Sequence, residues 1–326
     1  MRFDVEFPNA RESVFVPPGF VTPDQMIEVV QLAERLGFWA VWATDFVTPT
    51  PMYGIPQGEK PNWYEPLISI AFCAAHTKKI KLGTGLLLAP LRDPVIVAKE
   101  VATIDQFSKG RMLLGLGLGM CRDEFEALMP RKAKAHRGTM MDELIELTSR
   151  LLSDETDIKF DGKYNAISGV SLYPKPYQNK LPIYVPCRAP DAYERVAKWG
   201  LNITVQSAIL PKQLEALKPI FEKYGRTLSE IDIIAEGEVF FGKNRQDAAA
   251  RYAKTRHGQF RLKKQPLDAF LDANWVGSTD EIIEKMSKLK AQGLSHFNIL
   301  HVPADSLAER KELMQRFAEE VIPKLQ

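Results

Sequence analysis

The segment of residues 80–129 constrains the fold of this chain more than any other part of the sequence. It contains two apolar, β-rich runs with several glycines, IKLGTGLLLAPLR and GRMLLGLGLG, and a stretch with helical periodicity lies between them. Each run ends in a glycine-rich or polar loop. This order predicts a strand–helix–strand unit of a parallel α/β protein, a class that carries its chemistry on the loops after the strands.

The alternation of strand and helix continues along the whole chain. Strands are predicted over residues 2–7, 38–44, 80–87, 112–118, 183–185, 203–205, 231–241 and 297–300. Eight strand–helix units in 326 residues predict a (β/α)8 TIM-type barrel that forms a single domain, residues 1–326. Two insertions are expected: a hairpin over about 158–173, which Asp161-Gly162 indicates, and a helical insertion before strand eight over about 244–275.

Two helices begin with clear start signals. Thr22 precedes Pro23 and stands three residues before Gln25, which is the spacing of a capping box with proline in the first turn. Ser278 and Glu281 repeat the capping-box spacing at the start of the helix that precedes strand eight. Helices are therefore expected to start at these two positions.

Composition and charge narrow the classes of function. The 43 basic and 41 acidic residues give a net charge of only +2, and no basic stripe is present, so nucleic acid and membrane surfaces are not expected partners. The start MRFDVEF lacks a signal-peptide pattern, and no apolar run reaches the ~18 residues of a membrane span. Three cysteines without a CxxC pair favour a reducing, cytoplasmic location, and the histidines show no metal-ligand spacing, so no metal site is expected.

Several long stretches of this chain resemble one known family. The run LGTGLLLAPLRDPVIVAKEVATIDQFSKGRMLLGLGLG, with DEFEAL and HRGTMMDELIEL after it, is similar to the bacterial luciferase-like family of flavin-dependent oxidoreductases. LGFWAVWATDF matches the second strand of that family, and SLYPKPYQNKLPIYV matches its approach to strand five. These stretches follow the family order over nearly the whole chain.

The resemblance implies a TIM-type barrel that binds a reduced flavin, FMN or the deazaflavin coenzyme F420, at the C-terminal ends of the strands. Members that use reduced FMN and oxygen are monooxygenases, and members that use the deazaflavin transfer hydride without oxygen. The resemblance also implies a backbone bulge after strand three, often with a cis peptide not preceding proline, at Gly85-Leu86. A homodimer through helices two and three is implied as well, with Ile68, Phe72 and Val97 as contact candidates.

Two departures from the family pattern stand out. Strand two ends in Asp45-Phe46 where the family usually has an acid followed by a histidine. After strand five the chain has Pro186-Cys187-Arg188 in place of two glycines whose amides approach the flavin phosphate. Because arginine binds phosphate through a bidentate charged contact and Ala189-Pro190 begins a helix, Arg188 is a candidate replacement anchor. The alternative is a surface arginine that pairs with an acid of the next helix.

Candidate site residues follow from these positions and from the strand ends. The cofactor-binding candidates are Thr84, Gly85, Leu86, Gly119, Met120, Pro186, Cys187 and Arg188. The substrate-pocket candidates, which could instead form a dimer contact, are Phe46, Met52, Trp63 and Tyr64. The catalytic candidates are Asp45 and His301, although Asp45 could hold a neighbouring arginine and His301 could cap a carbonyl.

Three further motifs have structural interpretations. GLGLG lacks the spacing and the following helix of a dinucleotide fingerprint. Its glycines, which carry no side chains, are instead expected to leave room at strand four for a flavin ring. Asp4 and Glu6 alternate with apolar residues on strand one, which favours a salt-bridged acid inside the barrel. Glu124 of DEFEAL is expected to be buried and paired, with Arg137 as its partner.

The favoured function is a monooxygenase that uses reduced FMN and oxygen on a small organic substrate. Because no nicotinamide-binding motif is present, a separate flavin reductase is the expected source of reduced FMN. The first alternative is a deazaflavin-dependent hydride-transfer enzyme. The second is a barrel that binds flavin without catalysis, or that binds none and acts through another protein.

Overall fold

The computed structural model describes residues 1–326, apart from the side chain of Leu300. In the described chain, eight parallel strands pair in sequential order, and pairing of the last with the first closes the barrel. The strands are β1 Arg2–Phe7, β2 Ala40–Ala43, β3 Lys81–Thr84, β4 Met112–Gly117, β5 Ile183–Pro186, β6 Asn202–Gln206, β7 Ile233–Phe241 and β8 His296–His301. The predicted (β/α)8 fold is confirmed.

Helices connect the strands and cover the outside of the barrel. Their bounds are α1 Pro23–Arg35, α2 Pro66–His76, α3 Pro94–Ser108, α4 Arg122–Leu128, α5 Arg137–Leu152, α6 Pro190–Trp199, α7 Leu210–Lys223, α8 Arg245–Tyr252, α9 Arg256–Leu262, α10 Leu267–Ala273, α11 Thr279–Ala291, α12 Leu307–Arg316 and α13 Ile322–Leu325. Both predicted capping boxes are present, at Thr22 before α1 and at Ser278 before α11. No helix within the described residues combines the length and the apolar character that crossing a membrane requires.

The chain bulges directly after β3. The Gly85–Leu86 peptide bond is cis, as the family resemblance implies, and Leu87–Leu88 then pairs with β4 as a separate short strand. The predicted strand over 80–87 is therefore interrupted. The residues of the bulge face the C-terminal mouth of the barrel, where Gly85 and Leu86 line a cavity.

The glycines of β4 make room for this bulge, and not for a flavin ring as predicted. A Cβ atom on Gly115 would lie 2.0 Å from the carbonyl oxygen of Thr84, and one on Gly117 would lie 3.1 Å from Cβ of Leu86. The hydroxyl of Thr84 bridges the strands, since it donates to the carbonyl of Gly115 and accepts from the amide of Gly115. The space that these glycines leave is thus filled by residues 84–86.

Both predicted insertions are present. The hairpin consists of Ile158–Asp161 and Ala166–Val170, which pair antiparallel. The helical insertion contains α8, α9 and α10, but its end differs from the prediction, because Trp275–Gly277 forms a short parallel strand beside β7. Trp275 is buried there, with its ring 5.9 Å from that of Phe297 on β8.

The alternation on β1 places two acids inside the barrel. Phe3 packs against Phe317 of the outer layer, with ring centroids 5.7 Å apart. Asp4 and Glu6 therefore point inwards, and both are buried. Each is bound by several polar groups, so the prediction of salt-bridged interior acids is confirmed.

The predicted contact residues on α2 and α3 divide into two kinds. Ile68 and Phe72 of α2 are exposed, at 72% and 40%. Val97 of α3 is only 1% exposed, so its inclusion in a contact surface was wrong. Its neighbour Ile96 occupies the outer face of α3 instead, because successive helix positions point about 100° apart.

Candidate active site

The mouth of the barrel contains a cavity of about 140 Å³, which we call the mouth cavity. Its apolar wall is formed by Trp42, Gly85, Leu86 and Pro186. Its polar wall is formed by Glu6, Arg11, Thr204, Glu236 and Asn298, with Arg188 at the rim. One apolar side therefore faces a set of hydrogen-bonding and charged groups.

Three buried atoms of the polar wall have no hydrogen-bond partner within the described residues. They are Oγ1 of Thr204, Oδ1 of Asn298 and Nε of Arg11. Buried polar groups in folded proteins nearly always have a partner, so three unpaired atoms around one cavity indicate a place for a polar ligand. Both acceptor and donor capacity are available there.

Glu236 and Arg188 form the charged pair at the rim of the mouth cavity, in addition to the buried pair of Glu6 and Arg11. Burial raises the pKa of the Glu236 carboxyl, and the Arg188 guanidinium, 3.8 Å away, partly offsets that effect. Arg188 is half exposed at the cavity rim. The alternative was a pair between Arg188 and an acid of α6, but Glu194 of α6 pairs with Lys223. Arg188 instead lies at the cavity, with Glu236 as its partner.

His301 lies behind the mouth cavity, whose described lining does not include it. Its Nδ1 atom is 2.8 Å from the carboxylate of Glu6, which also binds Arg310 at 2.6 Å and Arg11 at 3.1 Å. Burial and the Arg11 guanidinium lower the pKa of His301 to about 3. The imidazole is therefore neutral at pH 7 and donates from Nδ1 to Glu6.

Glu238, His257 and His301 bring together three side chains that could ligate a metal, one carboxylate and two imidazoles, with ligand atoms within 4.8 Å of one another. Arg261 lies 2.7 Å from the Glu238 carboxylate, however, and Arg11 pairs with the nearby Glu6. These guanidinium groups already supply positive charge where a cation would have to sit. The cluster is therefore an ion-pair network that connects β1, β7, β8 and α9.

A second, larger cavity of about 360 Å³ opens beside the mouth, and we call it the side pocket. It is lined by Asp45, Phe46, Val47, Trp63, Glu65, Leu91, Arg92, Leu128 and Met129. Asp45 is buried, and its Oδ2 atom accepts from the amide of Leu88 at 2.9 Å and from Arg92 at 2.7 Å. The carboxylate thus holds a neighbouring arginine and fixes the chain just after the bulge.

The structure brings some of the predicted site residues together and separates others. Gly85, Leu86, Pro186 and Arg188 meet in the mouth cavity, and Asp45, Phe46 and Trp63 meet in the side pocket. Other candidates lie elsewhere. Thr84 bridges two strands, and the carbonyl of Gly119 accepts a hydrogen bond from Arg137. Cys187 is buried in the core, Tyr64 packs against the core, and Met120 and Met52 are exposed.

The predicted partner of Glu124 was wrong. Glu124 is buried and accepts from the amides of Val47 and Thr48 and from the hydroxyl of Tyr53. Arg137 instead donates to the carbonyls of Leu118 and Gly119. The acid therefore fixes the loop after β2, and the arginine fixes the loop after β4.

Sequence reasoning missed four residues of the polar wall, namely Arg11, Thr204, Glu236 and Asn298. A signal for three of them exists, because each is a polar residue with apolar or glycine neighbours on both sides within a barrel strand, as Glu236 is in IIAEGEVFF. Strand register brings two of them side by side, since Glu236 pairs with Asn298 across β7 and β8. Arg11 gives no comparable signal, because it lies on a loop.

Comparison with known proteins places the chain among flavin-related enzymes. It is 24% identical over 92% of its length to the oxygenase component of a flavin-dependent trigonelline monooxygenase of Acinetobacter baylyi, covering 89% of that protein. It is 26% identical over 93% of its length to an F420-dependent glucose-6-phosphate dehydrogenase of Beutenbergia cavernae, covering 94% of that protein.

The fold is shared with solved structures. The monooxygenase RslO1 from Streptomyces bottropensis superposes with a TM-score of 0.80 at 22% identity, and all of both chains is covered. The model of the family described as luciferase-like monooxygenase matches residues 1–296. With that match over most of its length, the chain belongs to the luciferase-like monooxygenase family.

Proposed function

We propose that this protein is a flavin-dependent monooxygenase that uses reduced FMN and oxygen on a small organic substrate. The observation that carries the proposal is the mouth cavity, where an apolar wall faces three unpaired buried polar atoms. Membership of the luciferase-like family supplies the class of cofactor. When bound, reduced FMN supplies the electrons for oxygen activation.

The residues of the mouth cavity fit a flavin ring in chemical character. Leu86 and Pro186 would contact a flat face, and Thr204, Asn298 and Arg11 would bind the polar edge of the pyrimidine part. Arg188 would hold the phosphate. The cavity of about 140 Å³ is smaller than the ~300–1,000 Å³ of ligand pockets, and Arg188, the one exposed residue of its lining, is the side chain that would turn outwards to admit the ring.

Two of the predicted residues receive roles within this proposal. Asp45 orients the substrate from the side pocket, where its Oδ1 atom accepts no hydrogen bond among the described residues. His301 acts as a positioning residue, because it contacts Glu6, which in turn contacts Arg11 of the mouth cavity. Substitution of His301 by Gln should weaken flavin binding less than substitution of Arg11, because His301 reaches the cavity only through Glu6.

A separate reductase and a cytoplasmic location belong to the same proposal. The relative from Acinetobacter baylyi is named as an oxygenase component, which is consistent with supply of reduced flavin by a second protein. The three cysteines are unpaired and buried, as expected in a reducing compartment. Purified protein mixed with a general flavin reductase, NADH and FMN should therefore form oxygenated product from its substrate, whereas the same mixture without the protein should only reduce oxygen to hydrogen peroxide.

The alternative is an F420-dependent oxidoreductase that transfers hydride. Relatives with this cofactor in their names match over 93% of the chain. The polar wall suits this alternative equally, because FMN and the deazaflavin share the pyrimidine edge. The discriminating experiment is a paired fluorescence titration with FMN and with F420.

Tight binding of FMN, with faster oxidation of reduced FMN by oxygen, supports the monooxygenase. Preference for F420 overturns it in favour of hydride transfer, and binding of neither overturns both. Asn298→Leu should weaken flavin binding about tenfold through loss of one buried polar contact. Asn179→Leu, on the opposite end of the barrel, is the control for general effects of this substitution.

We also propose a homodimer through the outer face of α2 and α3. This face exposes four large apolar residues, Ile68, Phe72, Ile96 and Phe107. Exposed apolar residues that cluster on two adjacent helices are typical of association surfaces. Phe72→Glu should yield monomers in light scattering, and a wild-type protein that is monomeric at 50 μM (about the concentration of a routine assay) would refute the dimer.

A further inference from the structure

The side pocket has the size and the wall composition of a small-molecule site. Its volume of about 360 Å³ lies within the ~300–1,000 Å³ typical of ligand pockets. The rings of Phe46 and Trp63 form one corner, with centroids 5.2 Å apart and planes inclined by 52°. Val47, Leu91, Leu128 and Met129 complete the apolar walls.

The charged floor of the side pocket carries an excess of negative charge. Arg92 contacts Asp45 at 2.7 Å and Glu65 at 3.2 Å, so one guanidinium serves two carboxylates. The described lining therefore has a formal charge of −1. Burial and the negative charge of Glu65 raise the pKa of the nearby Glu100 carboxyl.

The position of Asp45 connects the side pocket to the mouth cavity. Its Oδ2 atom accepts from the amide of Leu88, two residues after Leu86, which lines the mouth. A molecule that touches Asp45 in the side pocket therefore lies next to the segment that forms the apolar wall of the mouth. This placement suits a substrate of a cofactor held in the mouth.

From the aromatic corner and the negative floor, we propose that the side pocket binds an organic cation with an apolar or aromatic body. The faces of Trp and Phe rings attract cations, by about 0.5–2 kcal/mol per contact. The unbalanced carboxylate adds attraction, whereas the same charge disfavours carboxylate and phosphate ligands. Binding of a cation by the side pocket does not depend on any cofactor. The identification of that cation as the substrate rests on the proposed function.

The test compares three probes on the purified protein without flavin. Trimethylanilinium is the cation, tert-butylbenzene is its neutral isostere, and benzoate is an anion of similar size. Saturation-transfer NMR and calorimetry should show the cation binding at least about fivefold more tightly than the isostere, and benzoate most weakly. Equal affinity for the isostere, or tighter binding of benzoate, overturns the proposal.

A matched pair of variants tests whether the floor charge causes the preference. Glu65→Gln removes one negative charge but keeps an oxygen that can accept from the amide of Ile68, as the N-cap of α2 requires. Glu284→Gln removes the same charge from an exposed position on α11. The first should weaken trimethylanilinium about fivefold and leave the isostere unchanged, and the second should change neither. Equal effects of the two variants overturn the assignment to the pocket floor.

Failure of this inference is distinguishable from failure of the proposed function. FMN and F420 titrations report on the mouth cavity, and the three probes report on the side pocket. A protein that binds FMN but prefers benzoate retains the proposed function and loses the cation site. A protein that prefers trimethylanilinium but binds neither cofactor retains the cation site and loses the proposed function.

Discussion

The two ends of β8 hold two buried histidines in opposite protonation states. His296, at the N-terminal end of the barrel, lies 2.7 Å from Asp4 and 2.9 Å from Asp232, and these acids outweigh burial and raise its pKa to about 9. His301, five residues later, has its pKa lowered to about 3. At pH 7 the first is a cation and the second is neutral.

The difference comes from how many arginines each end contains. Both ends hold two acids near the histidine: the buried Asp4 and the partly buried Asp232 at the N-terminal end, and the buried Glu6 and Glu238 at the mouth. At the mouth, Arg11, Arg310 and Arg261 neutralise the acids. At the N-terminal end Arg2 is the partner of Asp232, and it is partly exposed. The histidine therefore supplies the missing positive charge at one end only.

The largest expected effect comes from removal of the central acid at the mouth. Glu6→Gln leaves the buried Arg11 and Arg310 without their carboxylate, which should lower the free energy of unfolding by about 3–5 kcal/mol. Denaturant unfolding at pH 7 measures this change. A loss below about 1 kcal/mol would contradict the view that Glu6 holds the network at the mouth together.

The second prediction concerns the alkaline side of the stability profile. Because the pKa of His296 is raised to about 9, the native state keeps a proton that the unfolded chain releases above its ordinary value near 6.5. Stability should therefore fall between pH 6.5 and 9, by about 3 kcal/mol in total. His296→Gln should remove this slope, and an identical slope in the variant would refute the assignment.

The third prediction concerns the acid side and has the opposite cause. The unfolded chain binds a proton at residue 301 below about pH 6.5, whereas the native state stays neutral down to about 3. Stability should therefore fall as the pH drops from 6.5 to 5.5, by about 1 kcal/mol from this group. His301→Gln should reduce the fall, and the imidazole signal of His301 in NMR should not titrate between pH 5.5 and 8.

The smallest effect is expected at the exposed ion pair of the N-terminal end. Arg2 pairs with Asp232 but its side chain is 38% exposed. Arg2→Met should lower the free energy of unfolding by less than about 1 kcal/mol, because water and salt screen exposed pairs. A loss as large as that of Glu6→Gln would show that the two ends of β8 do not differ as described.

Periodicity and local capping allowed most of the fold to be predicted. Phe3, Val5 and Phe7 alternate with Asp4 and Glu6, and the structure places these two sets on opposite faces of β1. Thr22 and Ser278 start helices as their spacing indicates, because an N-cap depends on neighbours within four residues. Errors appeared where two distant segments compete for space, as at Gly115, whose missing side chain accommodates Thr84.

The candidate site was only partly predictable. Gly85, Leu86, Pro186 and Arg188 were identified and meet in the mouth cavity, but Glu236, Thr204 and Asn298 were not. Their chemical meaning arises from register between strands that lie far apart in the chain, such as Glu236 beside Asn298. Likewise Val97 and Ile96 are adjacent in sequence, and only packing shows which of them is exposed.

The sequence by itself determined the barrel, its family and the order of its strands, since these depend on hydrophobic period and on motifs of adjacent residues. Tertiary structure alone decided which polar groups share a cavity and which carry charge. His296 and His301 are the same residue type on one strand, and the difference between their pKa values arises from acids and arginines that distant segments bring to each end. Electrostatic energy depends on distance through space, which no local pattern in a sequence records.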